Sequence, residues 1–185
     1  MVSSEVWHDN TWWEAALPTS WLFHRDQSIH AWPYVFEAPN GARLWIDASK
    51  HYESSEWDSS LAPPELSDEQ KKAFVLTVSA ASPTKPAASF QLTYFSTAIR
   101  EHMDELTRRY NSKRASVASQ LTRLDLGDLV GFTHPWVEHG VGGWLGYFSH
   151  DPWMLRVTFK APAAVADECS GIAKSVIESI RFKGA

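Results

Sequence analysis

The densest cluster of side chains able to do chemistry is His134-Pro-Trp-Val-Glu138-His139, in a chain of 185 residues that holds eight His. Imidazole nitrogens and carboxylates bind zinc, and a zinc centre takes three or four such ligands. Pro135 makes this segment a turn or strand end, and no Cys or third His stands at a workable spacing nearby, so no metal is expected. The glycines of Gly140-Val-Gly-Gly143-Trp-Leu-Gly146 resemble a phosphate cradle. A cradle, however, opens onto a helix N-terminus, whereas this run continues into strand-like Tyr147-Phe148. Gly142, Gly143 and Gly146 are therefore expected to serve bulges or close backbone approach. Asp125 and Asp128 read as turn residues, and the nucleophile-elbow, Walker, dinucleotide and H-E-x-x-H patterns are absent. Cys169, the single cysteine, lies in an apolar helical pattern and reads as a buried thiol rather than a nucleophile. The expectation is a protein with no catalytic residues, no cofactor and no enzymatic activity.

What is unusual is aromatic. Ten Trp, nine Phe and five Tyr make 13% of the chain. Asn40-Gly41 is a strong hairpin signal, because a type I′ turn needs positive φ at both central residues. Taken as a two-residue loop, it pairs Phe36 with Trp45, Val35 with Ile46, Tyr34 with Asp47 and Glu37 with Leu44. Alternation then gives one core face of Val35, Leu44, Ile46 and Ala48, and a second face carrying Trp32, Tyr34, Phe36 and Trp45, with Arg43 and Asp47 at its margins. Those six residues are the candidate partner-binding surface, since Trp, Tyr and Arg carry much of the energy at protein interfaces. Trp136, Trp144 and Trp153 either extend that surface or fill the core.

The elements that must position this face follow from periodicity. Trp12 to Leu17 and Ala31 to Glu37 read as strands, with a polar break at His24 to Ser28 between them. The polar stretch 51–70 reads as a surface insertion. Ser67 and Gln70 match a capping box, so a short helical turn is expected there ahead of a β-like run from Phe74 to Val78. Leu92, Phe95, Ile99, Met103, Leu106 and Tyr110 recur at helical spacing and predict a long central helix, with Arg108-Arg109 and Lys113-Arg114 on its solvated side and exit. After Asn111, runs at Leu121–Leu126, Leu129–Trp136, Gly142–Phe148 and Trp153–Lys160, parted by tight turns, predict an antiparallel meander. A C-terminal helix follows, with the stripe Val165, Cys169, Ile172, Val176 and Ile180. The fold class is α+β: an antiparallel sheet packed against a central and a C-terminal helix, in one domain over residues 1–185.

Seventeen basic against 22 acidic residues give a net charge of −5. With no basic stripe to neutralise phosphates, nucleic acid is not an expected partner. The N-terminal ten residues lack the basic and apolar regions of a secretory signal. No stretch approaches the roughly 20 apolar residues that cross a bilayer. A cytoplasmic location and no membrane insertion are expected.

The Leu17-Pro-Thr-Ser-Trp21 segment, Leu155-Arg-Val-Thr-Phe159 and the closing Ala173-Lys-Ser-Val-Ile-Glu-Ser-Ile-Arg-Phe182 stand in the order strand pair, long helix, meander, helix, short strand. In this layout the chain resembles the PsbP-like superfamily, from which it departs at 51–70 and in its density of Trp. The resemblance implies an antiparallel sheet with packed helices and a mostly non-enzymatic repertoire of accessory proteins, a nuclear-import factor that binds a small GTPase, and cytosolic chaperones of type VI secretion effectors. It supplies no catalytic residues. The functional expectation is a protein-binding domain, whether adaptor, effector chaperone or immunity-type protein, whose partner is another protein such as a secreted effector or toxin. The alternative is a small-molecule or lipid binder with an aromatic-lined pocket.

Overall fold

The computed structural model describes residues 5–9, 12–25, 34–49, 59–82 and 97–183. Five strands come first: β1 (Glu5–Asp9), β2 (Trp13–Pro18), β3 (Leu22–Arg25), β4 (Tyr34–Glu37) and β5 (Arg43–Ser49). Two helices follow, α1 (Asp68–Ala81) and α2 (Thr97–Gln120). The meander is β6 (Thr122–Leu126), β7 (Leu129–Glu138), β8 (Val141–His150) and β9 (Trp153–Pro162), then α3 (Ala166–Glu178) and β10 (Arg181–Phe182) close the chain. Seven strands form one sheet in the order β3-β4-β5-β9-β8-β7-β6, and β1-β2-β10 form a small second sheet. All pairings are antiparallel. The expected α+β class and the order of hairpin, long helix, meander, helix and short strand are all present.

The meander follows from its turns. His139 and Gly140 both have positive φ, 49° and 79°, which is the type I′ conformation that matches strand twist, and Glu138 pairs with Val141 across them. The strands then alternate, and each face of the large sheet buries its own core. On one face lie Phe36, Leu44, Ile46, Trp144, Phe148, Leu155, Val157 and Phe159, covered by Cys169, Ala173, Val176 and Ile177 of α3 and by Trp13 of the small sheet. On the other lie Phe132, Tyr147 and Met154, covered by Ala73, Phe74, Leu76 and Val78 of α1, with Val117 and Ala118 of α2 packed alongside. Ser179, after α3, accepts a hydrogen bond from the Ala16 amide at 2.8 Å and so ties the small sheet to the helix end.

Three expectations are corrected. The β-like run Phe74–Val78 belongs to α1. The capping box at Ser67 and Gln70 is formed in both directions, but it opens a 14-residue helix rather than a short turn. A brief apolar run reads the same in a buried strand and a buried helix, and α1 is apolar over consecutive positions because it lies between the sheet and α2. The central helix extends to Gln120, so Arg114 is not at its solvated exit: its side chain is 6% exposed. β1 and the strand Leu22–Arg25, which overlaps the expected polar break, were not anticipated. Within the expected insertion, 51–58 lies outside the described residues, Ser59–Leu61 is one 3₁₀ turn and 68–70 begins α1. Leu92 and Phe95 also lie outside the described residues.

The meander glycines serve close approach. A Cβ on Gly143 would stand 2.1 Å from the Phe159 carbonyl oxygen, and one on Gly146 would stand 2.4 Å from that of Phe132. On the same stretch of β8, the Thr77 hydroxyl of α1 accepts from the Tyr147 amide at 3.0 Å and lies 3.0 Å from the Phe132 carbonyl, the two residues being cross-strand partners. A fully buried hydroxyl thus stands in the β7–β8 ladder. Thr77→Val keeps the shape and leaves two backbone groups facing each other without it, so urea denaturation is expected to show a loss of about 1–3 kcal/mol. Thr77→Ser, which keeps the hydroxyl, is expected to lose less. Equal stability of the valine variant and the wild type would show that the bridge contributes nothing.

Candidate functional site

The β4–β5 connection decides which side chains face outward. Ala38 donates its amide to Ala42 O at 2.8 Å and Gly41 donates to Ala38 O at 2.9 Å, with Gly41 at φ 83°. The loop is therefore three residues, Pro39-Asn40-Gly41. This is a type I turn with Pro39 at its second position, followed by a left-handed glycine. Asn40 itself makes no positive-φ turn. Its side-chain amide donates to the Cys169 sulfur at 3.1 Å while its oxygen accepts from Ala42 N at 3.2 Å, which fixes the turn against α3. The observed register pairs Tyr34 with Ile46, Val35 with Trp45, Phe36 with Leu44 and Glu37 with Arg43.

This overturns the expected register by one residue, and a one-residue slip exchanges faces. Proline fixes φ near −65°, which suits the second position of a type I turn, so Pro39 belongs to the loop and lengthens it. Tyr34 and Phe36 therefore point inward. Phe36 is fully buried, and Trp13 meets Tyr34 and Phe36 edge-on at 5.2 and 6.4 Å. Leu44 and Ile46 join them. Trp32 lies outside the described residues. The remaining three candidates, Arg43, Trp45 and Asp47, share the opposite face.

That face gains members from two other strands. In the ladder Arg43 stands opposite Lys160, Trp45 opposite Thr158 and Asp47 opposite Arg156, while β4 adds Glu37. Arg43 Nη2 and Glu37 Oε1 are 3.1 Å apart, with side chains 43% and 32% exposed, a surface pair worth under about 1 kcal/mol. The Lys160 ammonium lies 4.7 Å from the Trp45 ring centroid in a cation–π contact. Burial holds the Asp47 carboxyl above the usual carboxylate range, and Arg156 opposite only partly offsets it. Glu37, Arg43, Trp45, Asp47 and Lys160 are half-buried and Arg156 is exposed, so the row sets charges of both signs around one indole, with Val35 buried beside Trp45.

At the end of this face, Glu37, Arg43, Trp136, Glu138 and Lys160 line a groove of about 380 Å³. Trp136 thus extends the β5 surface, whereas Trp144 and Trp153 are buried at 7% and 2% exposure. Trp144 Nε1 donates to Ser170 Oγ at 2.9 Å. His139, a residue of the suspected metal cluster, is a turn residue beside the groove. His134 lies further along β7, where burial favours its neutral imidazole. Trp136 was named from sequence as either surface or core, and Lys160 and Arg156 were not singled out. Their common feature, a position on the same parity as Arg43 and Trp45, becomes legible only once the β5–β9, β8–β9 and β7–β8 registers are known.

No family model and no curated relative matches the sequence. Among solved structures, a crystal structure of a protein from Bacteroides thetaiotaomicron VPI-5482 superposes on 99% of this chain, with a TM-score of 0.53 and 13% identity. This chain spans about half of that protein, 49% of its length. The solution structure of cyanobacterial PsbP (CyanoP) from Synechocystis sp. PCC 6803 is also similar, with a TM-score of 0.46 and 11% identity over 99% of this chain and 95% of that one. At these identities the likeness to the Bacteroides protein is one of fold alone, and the order of strands and helices read from the sequence is the order the chain adopts.

Proposed function

We propose that the chain is a protein-binding domain without enzymatic activity, acting in the cytoplasm as an adaptor, effector chaperone or immunity-type protein. The partner protein docks on the outer face of β4, β5 and β9. The observation that carries this reading is the row Glu37, Arg43, Trp45, Asp47, Arg156 and Lys160, in which three strands bring an indole, two acidic and three basic side chains to one partly exposed surface. Such a surface suits a partner with charges of both signs. Trp45 supplies a large rigid contact and the flanking charges set orientation.

The desolvated Asp47 supports the reading, because it is held at a cost. Its folded-state pKa is raised, so its contribution to stability is full below the unfolded carboxylate value and is lost as pH rises through the folded one. At neutral pH the charge works against the fold, and a residue kept at such a cost is the kind found at functional surfaces. Asp47→Asn is therefore expected to raise the melting temperature at pH 7. The gain is below about 1 kcal/mol given solvent screening, and the difference shrinks as pH falls towards 4. A lower melting temperature for the variant at pH 7 would show that Arg156 outweighs the burial.

Docking is tested by pull-down from native lysate, followed by titration of the purified partner. Trp45→Ser and Arg43→Glu are expected to weaken the complex at least about tenfold, the loss of a hot-spot residue, while still unfolding cooperatively. Phe36→Ser, buried on the opposite face, is expected to cost stability by about 3–5 kcal/mol. Retention of the partner at wild-type affinity by both surface variants would remove this face as the docking site.

A further inference from the structure

We propose that Arg114 on α2 anchors a small-oxyanion site, taking a carboxylate or phosphate group on the edge formed by its Nε and Nη2. Four polar or charged side chains are buried among the described residues: Thr77, Arg114, Thr133 and Ser149. Thr77 bridges the β7–β8 ladder, Thr133 donates to Thr122 O and Ser149 donates to Val130 O. Arg114 differs: it is 6% exposed, and its Nε and Nη2 are buried with no hydrogen-bond partner. These two nitrogens form one side of the planar guanidinium, the fork that engages two oxygens of a single carboxylate or phosphate.

The chemistry of arginine makes this edge informative. A buried lysine with no partner relieves its cost by losing a proton, but a guanidinium keeps its charge at any physiological pH. A desolvated, unpaired cation is among the most unfavourable groups a fold can hold. The contact that is present, with the guanidinium carbon 5.6 Å from the Tyr110 ring centroid, supplies a cation–π attraction and accepts none of the N–H bonds. The hydrogen-bonding edge is left without an acceptor. Tyr110, Arg114, Val117 and Ala118 follow at spacings of three and four, so the edge lies on the buried side of α2, where Val117 and Ala118 pack against the α1 core. The site rests on α2 and is independent of the β5 face.

The test is thermal unfolding of the full chain in chloride, phosphate or acetate at matched ionic strength. Phosphate or acetate at millimolar concentration is expected to raise the wild-type midpoint saturably by about 3 °C over chloride. Arg114→Met and Arg114→Gln are expected to show no such rise. In chloride, Arg114→Met is expected to melt no lower than wild type, because it buries no unpaired charge. A larger shift with acetate identifies a carboxylate site, and a larger shift with phosphate identifies a phosphate site. The absence of an anion-specific shift, or an equal shift in the methionine variant, overturns the proposal. Failure of both variants to fold overturns it as well, because it would mean that the guanidinium is already paired in the native protein.

Discussion

The pairing of β5 with β9 governs what this molecule shows to solvent. Leu44, Ile46 and Ala48 stand opposite Phe159, Val157 and Leu155, so the apolar residues of both strands fall on the side that α3 covers. The price of that match is that every residue between them, Arg43, Trp45 and Asp47 with Lys160 and Arg156, must face the other way. Strand alternation leaves no third choice. The outer row is thus the complement of a well-packed inner row, and its composition is where the chain departs from a plain solvated surface.

The turn before β5 enforces this parity. Gly41 takes the left-handed conformation, Pro39 presets the turn, and Asn40 reaches across to Cys169 on α3. With Leu44 and Ile46 held inward by β9, a two-residue loop would have turned Tyr34 and Phe36 out of the core and brought Val35 in. The large apolar area at stake in Phe36, at roughly 25 cal/mol per Å² buried, outweighs any local preference of the Asn-Gly pair. Cys169, a buried thiol, acts as a sulfur acceptor that positions the loop.

Most of the architecture was legible because its signals are local. The meander declares itself through alternation and through turn residues such as Gly127 and His139-Gly140, and α3 through a stripe that includes Cys169 and Val176. What escaped was decided by tertiary context. Phe74 to Val78 is apolar at every position because α1 is covered on several sides, which erases the period that separates helix from strand. Arg114 carries a charge that sequence reasoning assigns to solvent, yet its helix face is turned inward. The candidate surface was half legible. Arg43, Trp45 and Asp47 were identified together, but Tyr34 and Phe36 were assigned to their face through a loop length that differs by one residue, and Arg156, Trp136 and Lys160 come from strands too distant in sequence to be related by any local pattern.

The seam between β5 and β9 also sets an order of assembly. The strands from β6 to β9 are joined by turns of two residues, so their pairing closes only small loops. Leu44 meets Phe159 across more than a hundred residues of chain, and that closure carries a larger entropic cost. The meander can therefore form before the β4–β5 hairpin docks on it, and the outer row comes into being only with that late step. A protein seated on Trp45 and Lys160 together would touch both sides of the seam. It would then slow the separation of the hairpin from the meander, making occupancy readable as slowed amide exchange along β5 and β9.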